Sequence, residues 1–372
     1  MKGKLNLCYF AHSWISDWNH GNAHFLRGLV RSLGQMGHQV RCYEELGSWS
    51  LRNLVNQEGK AAIAEIDGFR RQFPELNIHF YKNDNSFAGF AAQELRSADV
   101  VIVHEWTEPA IVNAILALKQ SCGFRVLLHD THHRAYTRAR EILRFHLHLF
   151  DGVLAFGEAI RSIYADGFGI PRVWTFHEAA DIENFTPVTV KKQIDVIWIG
   201  NWGDEERARE LREFLIQPAA ELPLRRYVVH GVRYPEYALQ ELQASGIEYR
   251  GYLPNLSSPQ VYGTSKIALH VPRRQYANGL SGIPTIRVFE ALACGMPLVC
   301  SPWADVERLF RGGQDYMVAD NGEAMKAVIE YLLSDEQACH QLGANGLETV
   351  RARHTCRHRA QQLVEICEEL GQ

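Results

Sequence analysis

TIRVFEALACGMPLVCSPW, residues 285–303, decides how this chain is read. Two apolar runs, 289–295 and 297–303, meet at Gly295-Met296-Pro297, and a single acid, Glu290, stands inside the first. Thr285 is a residue of the type that caps a helix N-terminus, so a helix is expected from Ile286 to about Cys294. Arg287 and Glu290 lie three apart and share one side of that helix near its start. Val288, Phe289, Ala291 and Leu292 cover the remainder. A carboxylate among such neighbours is costly unless it is well hydrogen-bonded. An Arg287–Glu290 surface pair is the plain alternative, and the apolar residues on both sides argue against it.

Outward from this stretch, short apolar runs alternate with helical patterns. LNLCYFA (5–11) precedes a helix over 22–37, in which Phe25, Leu26, Leu29, Leu33 and Met36 recur at helical spacing. HQVRCYE (38–44) and NIHFYK (77–82) follow as strands. DVVIVHE (99–105) and FRVLLHD (124–130) are continuous apolar strands, the kind buried on both faces of a parallel sheet. GVLAF (152–156) and VWTFHEA (173–179) continue the series. The stretch 181–193 is polar and without period, and is read as a linker. The alternation restarts with DVIWIGN (195–201), a helix over ERARELREFLIQPA (206–219), and the strands RRYVVHG, IEYRGYL, IALHVPR and MPLVCSP. From Glu323 to Gln372 the pattern is mostly helical. Two such series imply two Rossmann-like, doubly wound α/β domains facing a cleft. The expected division is 1–185, 194–352 and a terminal helix over 353–372.

Composition narrows the classes. The chain has 372 residues, beyond the ~250–300 at which one core usually splits. Its net charge of -4 gives no basic field for nucleic acid. No two of its eight cysteines form a C-x-x-C pair, so a structural zinc site is not expected, and scattered thiols suit a cytoplasmic location. No apolar run reaches membrane-span length. The full G-x-G-x-x-G fingerprint is missing after the first strand, which argues against a nicotinamide enzyme.

Ligand-facing residues are sought at strand ends. Gly21-Asn22 directly precedes the first helix, where backbone amides favour an anion. Gly200-Asn201 opens the second series in the same way, with Arg207 or Arg209 to add charge. The loop 275–285 leads into Thr285. A ribose there would offer two vicinal hydroxyls to Glu290, while the helix N-terminus and Arg287 would serve a diphosphate.

The arrangement resembles a GT-B glycosyltransferase, a class with two Rossmann-like domains and a nucleotide-sugar donor. FEALACGMPLV resembles the segment that ends the Glu, seven residues, Glu motif of retaining members, in which the second Glu binds the donor ribose; it maps onto Glu290. TIRVFEALACG, GGQDYMVADNGEAMKAVIEYLLSD and RHTCRHRAQQLVE (353–365) resemble more narrowly the spore maturation protein CgeB-like glycosyltransferases. The likeness runs through 195–365 and is architectural over 1–190. In the family the first Glu touches the donor sugar; eight positions before Glu290 this chain has Gly282. Backbone amides at Gly282 and Ile283 are expected to take over part of that role. In such a fold the final helix crosses back onto the N-terminal domain.

The resemblance also gives a histidine at the end of the FRVLLHD strand, beside donor sugar and acceptor, and His129 matches it. His104, Glu105 and Trp106 close the preceding strand and are candidate acceptor residues, Trp106 as a sugar platform or as core. His129, Asp130, His132 and His133 together could ligate a metal, but no distant partner has matching spacing, and no metal is expected. Residues 133–150 read as an amphipathic basic helix, with Ala135, Ala139, Ile142, Leu143, Leu147 and Phe150 on one face. A solvated helix is its plain reading, and contact with an anionic acceptor or the inner membrane face its alternative.

The expected activity is metal-independent transfer of a sugar from a nucleotide diphosphate sugar, a UDP-sugar, to an unidentified acceptor, with retention and no further cofactor. A GT-B sugar-nucleotide epimerase or phosphorylase, or a non-catalytic sugar-nucleotide-binding scaffold, is the alternative.

Overall fold

The structure, a computed structural model, describes residues 3–203 and 207–371. It divides into two compact units, residues 1–178 with 356–372, and residues 179–355. Glu206, where the sequence reading starts a helix, and Glu205 before it lie outside the described residues.

The first unit is built on β1 (Asn6–Phe10), α1 (Ala23–Gln35), β2 (Gln39–Glu45), α2 (Trp49–Glu58), β3 (Asn77–Tyr81), β4 (Val100–His104), α3 (Pro109–Cys122), β5 (Arg125–Asp130), β6 (Gly152–Ala155) and β7 (Val173–Thr175). Among the described residues these strands form one sheet in the order β3-β2-β1-β4-β5-β6-β7, parallel throughout. The central strands are apolar on both faces because helices cover both. Val101, Ile102, Val103, Val126, Leu127 and Leu128 are all buried.

The second unit contains β8 (Ile194–Ile199), β9 (Tyr227–His230), β10 (Glu248–Tyr249), β11 (Ser265–His270), α4 (Ile286–Ala293), β12 (Leu298–Cys300), β13 (Met317–Val318), α5 (Gly322–Ser334) and α6 (Glu336–Arg353). Its sheet runs β10-β9-β8-β11-β12-β13, again parallel. Trp198, Phe214, Tyr227, Ile267, Val299 and Ile329 belong to one continuous core. The segment expected as a linker belongs to this unit. Phe185 is fully buried, and Val188 and Pro187 approach Gly263 and Gly295 closely.

The last helix, α7 (Cys356–Gly371), belongs to the first unit and packs on α1. Its apolar side, with Ala360, Leu363, Val364, Ile366 and Leu370, is buried. Arg359 Nε donates to the His177 carbonyl (2.9 Å), and Trp174 Nε1 donates to Glu369 (3.1 Å), tying the helix to the end of the sheet.

One expectation is corrected. Residues 133–150 do not form a continuous helix. Single turns at Arg134–Thr137 and Ala139–Ile142 are followed by 3-10 turns at Leu143–Phe145 and Leu147–Leu149. Arg138 leaves helical geometry and His146 is left-handed (φ 51). Each break re-aims the chain, so Ile142, Phe145 and Leu147 are buried while Leu143 and Leu149 point outward. The single amphipathic helix on which a membrane contact would rest is therefore not formed. No helix among the described residues is long and apolar enough to cross a membrane.

Candidate active site

In a doubly wound sheet, ligands gather beyond the carboxyl ends of the strands where the order reverses. That point lies between β1 and β4 in the first unit and between β8 and β11 in the second.

In the second unit β8 runs into Gly200-Asn201. The loop after β9 fixes this turn: Val232 N donates to Asn201 Oδ1 (2.9 Å) and Tyr234 OH to the Gly200 carbonyl (2.8 Å). The two turns touch so closely that a Cβ on Gly231 would lie 2.0 Å from the Gly200 oxygen. Arg207 Nη1 reaches the same place, 3.1 Å from where a Gly200 Cβ would stand. β11 ends at His270, which sequence reasoning missed. Its Nε2 is 3.0 Å from Thr285 Oγ1. Burial, and then the charge of Arg207, hold the imidazole down at about 3, so it is neutral near pH 7.

Thr285 is the N-cap of α4, with extended backbone (φ -75, ψ 161), but its hydroxyl makes no capping bond to the helix. The His270 contact engages that hydroxyl. The first amides of α4 therefore carry no side-chain cap, which suits an anion. Glu290, one turn further on, is fully buried and hydrogen-bonded to Arg287, whose side chain is about a quarter exposed. The pair forms, but its acid lies inside the protein. Tyr262 and Cys294 surround it: burial and then the Glu290 charge raise both their pKa values. The Ile283 carbonyl accepts from Trp303 Nε1 (3.2 Å), and Trp303 stands edge-on to His270 at 6.3 Å. Gly200, Arg207, His270 and Thr285 thus form one connected group, and the Arg287–Glu290 pair lies in the helix that Thr285 begins.

Gly282 has φ +93, and a Cβ there would lie 2.5 Å from Val306 Cγ2 and 3.2 Å from Glu307 Cγ. The glutamate of the family pattern does not fit this backbone. Gly282→Glu is expected to destabilise the second unit by about 2–3 kcal/mol, from left-handed strain plus overpacking. Urea unfolding measures it, and unchanged stability would show that the loop readily takes another path.

In the first unit the reversal point collects imidazoles. His129 ends β5, and its Nδ1 pairs with the Tyr9 hydroxyl. Burial raises the Tyr9 phenol and lowers His129 to about 3. The phenol therefore keeps its proton and donates it, which puts the ring proton of His129 on Nε2. That atom is buried without a hydrogen-bond partner among the described residues. His104, at the end of β4, contacts Thr131 Oγ1 through Nε2 (3.0 Å) and Glu105 through Nδ1 (3.1 Å). His104 and Glu105 are fully buried, whereas Trp106 is 40% exposed. Burial pushes both Glu105 and Asp130 upward, and the neighbouring Asp130 charge raises Glu105 further. Asn22, the N-cap of α1, reaches the Thr131 carbonyl at 3.5 Å and so brings Gly21-Asn22 to the same strand ends. Among the described residues no group of three or more His, Cys, Asp or Glu is arranged to hold a metal ion. Tyr9 and His270 were not singled out in the sequence. Their one local signal is a polar group within or closing an apolar strand.

Residues 208–365 match the family model described as glycosyl transferase-like. No curated protein matches the chain in sequence. Among solved structures, HepE of Anabaena in complex with UDP and glucose is 12% identical, covers 98% of this chain and 99% of its own, and superposes with a TM-score of 0.69. Sucrose-phosphate synthase of Thermosynechococcus elongatus is 14% identical over 99% of both chains, with a TM-score of 0.69. A glycosyltransferase of Rickettsia africae is 12% identical over 99% of both, with a TM-score of 0.67. The fold is GT-B. The family likeness covers residues 208–365 only, and over them it is to glycosyl transferase-like proteins.

Proposed function

We propose that the chain moves a sugar from a UDP-sugar to an acceptor hydroxyl without a metal ion and with retention of anomeric configuration. The observation that carries this reading is Glu290, a buried carboxylate one turn inside a helix whose N-terminus has no side-chain cap. Its carboxylate would accept from the ribose hydroxyls. The α4 amides with Arg207 and Arg287 would meet the negative charge that develops on the leaving diphosphate. Gly200-Asn201 and Gly21-Asn22 are proposed as further donor contacts, and Gly282-Ile283 as backbone contacts to the sugar. HepE, of the same fold, is solved with UDP and glucose. In the first unit, His129 Nε2–H is proposed to donate to the transferring sugar, with His104, Glu105 and Trp106 on the acceptor side. Eight free cysteines support a cytoplasmic setting. The likeness to CgeB-like enzymes rests on the segments 285–295, 312–335 and 353–365, and the retaining outcome on 289–299. The product anomeric configuration, read by NMR, tests the latter.

Glu290→Ala is expected to weaken UDP binding by about 1.5–3 kcal/mol, roughly 10- to 100-fold, through loss of a charged hydrogen bond. Calorimetry on the folded variant checks this, and an unchanged affinity makes Glu290 structural. Gly282 favours one second reading, a sugar-nucleotide-binding scaffold, because the family glutamate is excluded there. UDP release that requires an acceptor supports transfer over the scaffold and over epimerase or phosphorylase activity.

A further inference from the structure

The chain has eight tryptophans, and most are hidden: Trp14, Trp18, Trp198, Trp202 and Trp303 are at most 6% exposed. Trp49 and Trp106 are 43% and 40% exposed, and both stand beside one residue, His12. The His12 ring is 6.2 Å from Trp49 and 6.4 Å from Trp106, centroid to centroid. His12 follows β1 and Trp106 follows β4, so the group sits at the reversal point of the first sheet.

Both indoles are held from behind. Trp49 meets Trp18 edge-on at 5.2 Å, and Trp18 Nε1 donates to Gln57 (2.8 Å). The Arg134 guanidinium lies 3.9 Å from the Trp106 centroid, and it is itself pinned by the Glu105 carbonyl and by Glu141. His20 stands edge-on to His12 at 4.6 Å. It is buried, and the Ser16 backbone is a hydrogen-bonding neighbour of its ring. Leaving that much indole in water forgoes roughly 25 cal/mol per Å² of apolar burial, and a buried imidazole that uses only part of its hydrogen-bonding capacity adds a desolvation cost. A single ligand that offers a flat C–H face and hydroxyls at its rim would relieve both.

We propose that Trp49, His12, His20 and Trp106 form a subsite for a neutral pyranose ring of a saccharide acceptor. The indoles take the C–H face, and the imidazoles exchange hydrogen bonds with ring hydroxyls. Burial, with Arg134 nearby, lowers His12 to about 4, and burial lowers His20 well below its ordinary value, so both are neutral near pH 7. Neutral rings both donate and accept, as a hydroxyl requires. The assignment of the ligand as an acceptor rests on the glycosyltransferase reading above.

The test uses the full chain and a panel of methyl α-D-glucopyranoside, methyl α-D-galactopyranoside and methyl α-D-mannopyranoside, read by saturation-transfer NMR and tryptophan fluorescence. At least one is expected to bind. Trp49→Ala and Trp106→Ala are each expected to weaken it tenfold or more, while Trp49→Tyr keeps it within about threefold. UDP affinity is the control, expected unchanged in all three. Trp49→Tyr also guards against an alanine variant that fails to fold. No pyranoside binding to the wild type, binding indifferent to both alanine variants, or displacement of the pyranoside by uridine would overturn the proposal. Pyranoside binding lost with Trp49, in a wild type that does not bind UDP, would keep the subsite and sink the donor reading instead.

Discussion

A chain ending at Thr355 is expected to lose the first unit as a folded body while keeping the second. The deletion removes α7, whose Leu363, Val364, Ile366, Cys367 and Leu370 are buried. Fully burying a large apolar side chain contributes about 1.5–3 kcal/mol, so five of them amount to roughly 10 kcal/mol, as much as a domain's whole stability. The loss also strips cover from α1 and leaves the His177 carbonyl without Arg359. The second unit is one continuous segment, 179–355, with its own core. Thermal unfolding should show one transition missing, proteolysis should clear residues 1–178, and UDP binding should be retained in part, through the second unit's residues. A truncated protein with normal turnover and both transitions would show that α7 is dispensable.

Mild acid is expected to destabilise the second unit by about 3–5 kcal/mol between pH 7 and pH 4.5. His230 is held at about 4 and His270 at about 3, in each case first by burial. Both would titrate near 6.5 in the unfolded chain, so below that value the unfolded state binds more protons. Stability is then lost as pH falls, at up to about 1.4 kcal/mol per pH unit for each group. In the first unit His12, His20, His104 and His129 act in the same direction. Glu105 and Asp130 oppose them there, because their raised values make the folded state the better proton acceptor. The first unit should therefore lose less per imidazole. Urea midpoints at pH 7.5 and pH 4.5 measure this, and equal midpoints for the second unit would mean that His230 and His270 are reached by water.

The strands were legible wherever burial on both faces made the sequence continuously apolar, as in Val100–His104 and Arg125–Asp130. Thr285 and the helix behind it were legible because a cap residue before an apolar run is a local signal. The segment 133–150 was misread because 3-10 turns also bring apolar residues back every three positions, and the left-handed residue between them is a histidine that nothing nearby marks. The partnership of His270 with Thr285 spans fifteen residues. That of Tyr9 with His129 spans one hundred and twenty. Such pairings are fixed by strand order, which spacing along the chain does not encode. The Glu290 carboxylate was found because it broke an apolar run, while the imidazoles that stand at strand ends broke nothing.

The two units also differ in how a ribosome can deliver them. Residues 179–355 leave the exit tunnel as an unbroken stretch and can collapse at once. The first unit must wait, with the α1 face that α7 will cover left open, until all of its neighbour has been translated. During that interval the exposed surface invites aggregation or chaperone capture. The domain encoded first is therefore the one completed last.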